Sequence, residues 1–588
     1  MTPRTLSATL AGAVVVVLLL SGCSTLPDSG VVHTRPAGSQ DTSNPAPYFA
    51  PPGPSEGDSP EAIVRGFLLA MQANPPSSAV ARSFLSGRAK ATWKPNQGTI
   101  VYDGATVETV GNTLVAARLR AAHRLSPHGV WLDGTEPTTT AVPLTLVQED
   151  GQWRIDDPPN VLAVPVQYFS SLFVAFNLYF FDRTGTVLVP TKVYVPQGEE
   201  TASNLVRGLL AGPPPAQSEV ATTAFPGASG LDLAVVVNDA GIADVPLGAA
   251  VLELAPADLN RVVVQLAWTL RQVPGINRVR ITVDGAPIPL TDNRTDVSVG
   301  EGEDYDPVVS ADRDLLAISG RRVVREDDDD GSAISGPFGE TGFALRSLAW
   351  NARDHLVAAV TGNGRRVFVA PIRGARSSDR VVTVLDGGTD LLRPAYDRFG
   401  GLWVVDSTQS GAVVHLLGGG RDTVIEVDGV SGRRISAFTV TRDGTTLVAT
   451  RAGGSNPTVY VSSLVRDAEG RVRRAMPART LHVSSIGLGP ARDVVQNGAT
   501  TVAVLSRSPS GTDQISYVEL DGSPGLLGSA VRGAPDVVPG VLSSLVASPD
   551  PAISLRAVTT DRRLFTLTGA DRWVRSSIPE VDAAAYAQ

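Results

Sequence analysis

FTVTRDGTTLVAT, residues 438–450, is an apolar stub, a polar turn containing Asp443-Gly444, and a second apolar run, the pattern of two strands joined by a tight hairpin. Five related stretches share it: VVSADRDLLAIS from 308, LAWNARDHLVAAV from 348, PAYDRFGGLWVV from 394, DVVQNGATTVAVL from 493 and LVASPDPAISLRAV from 545. A further strand often follows, as in Val367 to Ile372 and Thr458 to Leu464. Starts lie 40 to 55 residues apart, the length of a four-stranded propeller blade whose faces are buried only by its neighbours. The copies diverge and lack a tryptophan-aspartate signature, so six or seven blades fit, and an array of β-sandwiches is the competing fold. Residues 304–588 are therefore read as an all-β propeller.

Outward from this block, 588 residues require more than one domain. With 58 Gly, 43 Pro and 5% aromatics, the composition favours strands and turns over long helices. A net charge of −9 argues against a nucleic-acid partner, which would need a basic surface.

The only cysteine, Cys23, follows Leu20-Ser21-Gly22 and a run of apolar residues that begins after Arg4. A positive start, a short greasy segment and small side chains before a nucleophilic sulfur make residues 1–22 a secretory signal peptide ending in a lipobox. This arrangement resembles that of bacterial lipoproteins. It implies that Cys23 becomes the S-diacylglyceryl, N-palmitoyl first residue of a chain anchored on the extracytoplasmic face of the cell membrane. Residues 23–58, rich in Ser, Pro and Gly, read as a spacer that cannot bury a core.

At Ser59-Pro60-Glu61 a helix opens with a cap, a proline and an acid. Its apolar face is Ile63, Val64, Phe67, Leu68 and Met71, and Asn74-Pro75-Pro76 stops it. Alternating stretches from Ile100 end in Gln152-Trp153-Arg154-Ile155. Helices before a curved antiparallel sheet give an α+β domain over 59–165, whose order and closing G-x-W-R-I strand resemble NTF2-like domains. Trp93, Trp131 and Trp153 are read as core or rim.

Val161 to Phe181 carries no charge for 21 residues, but Pro165, Gln167 and Asn177 argue against a membrane span. Strands are expected at Asn177–Asp182, Val187–Val195 and Val279–Val283, a hairpin around Asn238-Asp239-Ala240-Gly241, and helices at Thr201–Leu210 and after Pro256. LYFFDRTGTVLVPT, VVVNDAGIADVPL and QLAWTLRQVPGINRVRITVDGAPIPL, within 168–290, resemble a GerMN domain, so 166–295 is the second α+β domain. Such domains are thought to dock other proteins.

For chemistry the chain offers little. Glu326-Asp327-Asp328-Asp329-Asp330 is contiguous, unlike the alternating ligands of a calcium loop. Gly487-Leu488-Gly489 lacks the third glycine of a dinucleotide fingerprint, and Gly418-Gly419-Gly420-Arg421 reads as a hairpin turn. No G-x-S-x-G elbow occurs, and six scattered histidines have no ligand spacing. The expectation is a non-enzyme without catalytic residues, metal or cofactor.

Lipobox, spacer, two α+β domains and propeller in this order resemble the actinobacterial LpqB lipoprotein family. That resemblance implies an accessory of an MtrA–MtrB type two-component system, engaging the extracellular domain of the sensor histidine kinase in control of division and envelope. The alternative is a propeller that binds or hydrolyses cell-wall glycan, for which hydrolysis would need two carboxylates about 5 to 9.5 Å apart.

Overall fold

The structure is a computed structural model of the whole chain. It describes residues 48–588 apart from 133–137, 228, 291–292, 309–312, 327–330, 341, 375–379, 483–488, 524–539 and 570–571. The lipobox residues Leu20, Ser21 and Gly22 and the lipidation residue Cys23 lie outside the described residues, as does most of the spacer.

In the first domain the expected helix is Pro60–Ala70, with Ser59 Oγ accepting the Ala62 N–H at 3.3 Å. Proline at its first position loses no hydrogen bond, because that N–H has no partner within the helix. Ile63, Val64, Phe67 and Leu68 are buried, and Phe67 packs on Trp93 with ring centroids 5.3 Å apart. The sheet beneath runs Gln152–Ile155, Thr138–Glu149, Leu114–Leu125, Thr99–Tyr102 and Leu162–Pro165, with Gly104–Thr109 alongside Leu114–Leu125. Its last strand is parallel to Thr99–Tyr102.

The uncharged run from Val161 splits into that strand, the helix Val166–Leu172 and the strand Phe173–Asp182, which starts earlier than the composition around Asn177 indicates. Among the described residues no helix is long and apolar enough to cross a membrane.

The second domain places helices Thr201–Leu210 and Pro256–Leu270 against two sheets. One sheet is Leu188–Pro196, Phe173–Asp182 and Ala221–Thr222. The other runs Val236–Val237, Ile242–Pro246, Arg278–Val283, Ala286–Pro287, with Val297–Ser298 also on Arg278–Val283. Leu205, Val206 and Leu209 share a core with Val262, Val263 and Leu266. Gln265 is buried within this apolar packing because both ends of its amide are satisfied: Nε2 donates to Tyr179 O at 2.8 Å and Oε1 accepts the Ala224 N–H at 2.6 Å.

From Leu315 onward the described residues form six successive antiparallel sheets. The hairpin turns seen in the repeats are held as expected, by side-chain oxygens accepting backbone N–H groups. Asn351 takes that of Asp354, Asp397 that of Gly401, and Asp443 that of Thr445. Trp350 and Trp403 are fully buried. Trp403 Nε1 donates to Asp397 Oδ2 at 2.8 Å, and the same oxygen pairs with buried Arg466 at 2.5 Å, pinning two adjacent sheets together.

In the sheet that contains Leu315–Ser319 the inner strand is Val581–Tyr586, more than 260 residues further along the chain, while residues 309–312 of the stretch from 308 lie outside the described residues. A ring of sheets has two loose ends, and hydrogen-bonding one to the other closes it and removes two exposed edges.

Candidate functional site

Six inner strands wall the propeller channel: Leu345–Asn351, Ala395–Tyr396, Ile435–Val440, Ala491–Gln496, Leu542–Val546 and Val581–Tyr586. Most of the wall is Ala, Val and Leu, but one charged group lies across it. Arg393 Nη1 donates to Leu545 O at 2.9 Å, and Nη2 donates to Asp493 Oδ1 at 2.6 Å and Val494 O at 3.1 Å. Asp493 also accepts the backbone N–H of Leu545 at 2.7 Å and of Val494 at 2.9 Å. Burial pushes the Asp493 carboxyl above the usual carboxylate range, while Arg393 and the two amides pull it back. This pair links three sheets and divides the channel in two.

On one side lies a space of about 50 Å³ lined by Tyr396, Phe438, Arg442 and Gln588. Gln588 Oε1 accepts the Tyr396 N–H at 2.6 Å, and its own N–H donates to Trp350 O at 3.0 Å, so Gln588 is held in this mouth. Arg442 beside it is pushed down to about 10 by burial and by Arg398.

The GerMN-like domain meets the propeller on this same face, which carries the hairpin turns at Asp397 and the loops beyond Glu519. Arg398 donates to Thr186 O at 3.5 Å, Tyr194 donates to Ser523 Oγ at 2.7 Å, and Lys192 forms an ion pair with Glu519. Both members of that pair are 9% exposed. Glu219 pairs with Arg474 at the margin.

On the other side of Arg393 the channel widens into a polar mouth of about 210 Å³. Its lining comes from a repeated irregularity. In five inner strands the register slips by one residue at the second position, leaving Arg346, Ser436, Arg492, Ser543 and Asp582 as β-bulges. A bulge turns a side chain that would alternate into the sheet toward the rim instead, and all five line the mouth.

Two features lie away from the propeller. A cleft of about 510 Å³ between the α+β domains is lined by Gln97, Ser126, His128, Tyr194 and Arg207 among others, and burial holds the His128 imidazole below its ordinary value. On the GerMN-like domain, the edge strand Val236–Val237 stands in solvent, with Leu233 74% and Val236 61% exposed.

Of the residues singled out in the sequence, Trp93 and Trp131 are buried and Trp153 is half-buried, all packed into one core. Glu326 pairs with Arg556, and Asp327 to Asp330 lie outside the described residues. Asp156 is held by Arg88 and Ser86, which keep its carboxyl below the usual range. Among the described residues no cluster of His, Cys, Asp or Glu is placed to hold a metal. Sequence reasoning missed Arg393, Asp493 and the bulged ring. The available signal was a polar residue at the second position of five inner strands, in LRS, ISA, ARD, LSS and VDA, and just before the sixth, in LRP.

Comparison with known proteins matches three family models along the chain. Residues 53–170 match the N-terminal domain of lipoprotein LpqB, 177–289 the sporulation and spore germination domain, and 320–577 the LpqB β-propeller domain. Lipoprotein LpqB of Streptomyces avermitilis is 27% identical, covering 94% of each chain. That of Mycobacterium paratuberculosis is 28% identical over 87% of this chain and 89% of its own. Among solved structures, the tandem GerMN domains of GerM from Bacillus subtilis align with 18% identity over 26% of this chain and 58% of theirs, with a TM-score of 0.20. With each of its three domains matched in order and its relatives aligned nearly end to end, the chain belongs to the LpqB family of lipoproteins.

Proposed function

We propose that this lipoprotein is an extracytoplasmic accessory of a sensor histidine kinase of the MtrA–MtrB type, docking on the kinase's outer domain and biasing signalling to cell division and envelope maintenance. Acyl chains on Cys23 tether it to the membrane, where two or more chains hold stably and one only marginally. The tether converts docking on another membrane protein into a near-intramolecular event.

The observation that carries this reading is the free edge of the GerMN-like domain. Among the described residues Val236–Val237 ends its sheet with one side unpaired, and Leu233 and Val236 are exposed beside it. Soluble proteins usually protect such an edge with charge or proline, and an unprotected one is a template for strand addition by a partner. The other sheet of the same domain is committed to the propeller through Lys192 and Tyr194. The domain therefore has one face occupied internally and one edge available.

The test is capture of the sensor's extracytoplasmic domain by the membrane-tethered protein and by a Leu233→Lys, Val236→Lys double variant. Capture lost in the variant supports the reading; undiminished capture removes this edge from the contact.

The alternative, action on cell-wall glycan, divides on the channel acids. Hydrolysis needs a free pair of carboxylates, whereas Asp493 holds Arg393 and Asp582 holds Arg562 at 2.7 Å. These pairs favour a non-enzymatic role for the propeller.

A further inference from the structure

The mouth opposite the GerMN-like domain is built differently from the rest of the propeller. Five independent inner strands each carry a one-residue bulge at the same position, and each bulge delivers a polar side chain to one rim. The sixth, Ala395–Tyr396, is offset by one residue from the bridge between Leu391 and Asp406, and Arg393 just before it contributes to the floor. Bulges interrupt the ladder and leave a residue unpaired, so the ladder hydrogen bonds do not account for five sheets sharing one at this rim. A site that needs polar groups converging from all sides does gain.

The charges of this site are already matched inside the protein. Arg346 pairs with Asp390 at 2.7 Å, Arg492 with Asp513 at 3.0 Å, Arg393 with Asp493 at 2.6 Å and Asp582 with Arg562 at 2.7 Å. An anion or cation entering the mouth would have to compete with one of these pairs. The hydroxyls are in the opposite position. Ser436 donates to Ala491 O at 2.8 Å, with the Thr450 hydroxyl 3.0 Å from its oxygen, and Ser543 donates to Val558 O at 3.0 Å, which leaves a lone pair on each oxygen able to accept. Ser347 is 8% exposed, lines the cavity, and its Oγ is buried without a hydrogen-bond partner among the described residues. A buried hydroxyl left unsatisfied is destabilising, and a ligand hydroxyl would relieve it.

We propose that this mouth is a binding site for one neutral, hydroxyl-rich ring, a hexopyranose at the end of a glycan. The ring's hydroxyls would donate to Ser436, Ser543 and Asp582 and accept from Ser347. A space of about 210 Å³ suits a single ring, below the roughly 300–1,000 Å³ of sites for drug-sized ligands. Pairs of donors and acceptors fixed by internal ion pairs would orient vicinal hydroxyls without a net charge. The inference stands apart from the kinase-docking reading, which concerns another domain, and either can fail without the other.

The experiment uses the full-length lipoprotein in detergent micelles, titrated with glucose, galactose, mannose and N-acetylglucosamine, and separately with acetate and inorganic phosphate, followed by ligand-observed NMR. Saturable binding of at least one neutral sugar is expected. It should weaken roughly five- to tenfold in Ser347→Ala and in Asp582→Asn, the effect of one lost hydrogen bond, while thermal unfolding stays within a degree or two of the parent. Ser543→Ala, which gives up only the exposed side chain's bond to Val558 O, is the second variant should either of the first two fail to fold. The proposal is overturned if no neutral sugar saturates, if acetate or phosphate binds in preference to every sugar, or if the variants bind as the parent does.

Discussion

The two mouths of the propeller are made from the same six inner strands, yet they are finished in opposite ways. At the covered mouth the strands run into hairpin turns whose Asn and Asp side chains are consumed by their own backbone, and another domain lies over them. There Lys192 and Glu519 are desolvated together, and Gln588 is held in the opening. At the open mouth the strands bulge, and polar side chains pair with neighbours while remaining partly in solvent. The difference teaches which end of a repeated barrel serves assembly and which serves solvent: turn chemistry that satisfies itself can be buried, whereas a ring of bulges cannot be covered without losing its polar rim.

Arg393 belongs to both halves, and its removal should produce the largest effect. Arg393→Met leaves the Asp493 carboxylate buried with only backbone donors, a loss of about 3–5 kcal/mol for a buried ion pair broken on one side. Urea unfolding followed by tryptophan fluorescence would measure it. The double variant Arg393→Met, Asp493→Leu should regain most of that loss, because the uncompensated charge goes too. If the single variant unfolds at the parental midpoint, the pair does not hold the three sheets.

At the covered mouth, Lys192→Met should cost about 2 kcal/mol or somewhat more, since truncating one partner of a desolvated interdomain pair exposes the other's solvation penalty. The measurable consequence is loosened attachment, seen as faster limited proteolysis around Glu303 to Asp306. Arg346→Met at the open mouth should leave that proteolysis unchanged. A comparable acceleration by both would erase the distinction between the faces.

Much of this was readable in the chain. The cap at Ser59, the helices at Thr201 and Pro256, and the hairpins at five of the six quoted stretches follow from local signals, namely a capping oxygen, a 3.6-residue periodicity and polar residues at tight turns. What was illegible is non-local. Arg393 and Asp493 are 100 residues apart, and Val581–Tyr586 closes on a strand that begins at Leu315. Val581-Asp582-Ala583-Ala584-Ala585-Tyr586 is also poor in β-branched and aromatic residues, so propensity alone does not mark it as a strand. The bulged residues escaped notice because a strand is read by alternation, and an inserted residue puts every polar position after it out of phase.

Two smaller effects probe the open face further. The pair between Asp582 and Arg562 is partly solvated, with side chains 34% and 43% exposed, so Asp582→Asn should change stability by no more than about 1 kcal/mol. A larger change would mean that this rim is structural in the way the covered mouth is, and would weaken its reading as a site free to exchange partners.

The smallest effect is a titration. Asp386 lies at the outer end of a sheet on the open face, where the Arg366 guanidinium at 2.7 Å and the Gly387 N–H hold its carboxyl below the usual carboxylate range. Since the folded value is lowered, the linked stability is present above about pH 4, the unfolded value, and disappears as pH falls through the folded one. The group is fully exposed, so this stability is screened by salt, and the titration itself is the better readout. Carboxyl-carbon NMR should place the Asp386 midpoint below that of an unpaired aspartate, and Arg366→Gln should raise it. Added salt should move it in the same direction, because solvent ions reach this exposed pair and screen the Arg366 charge.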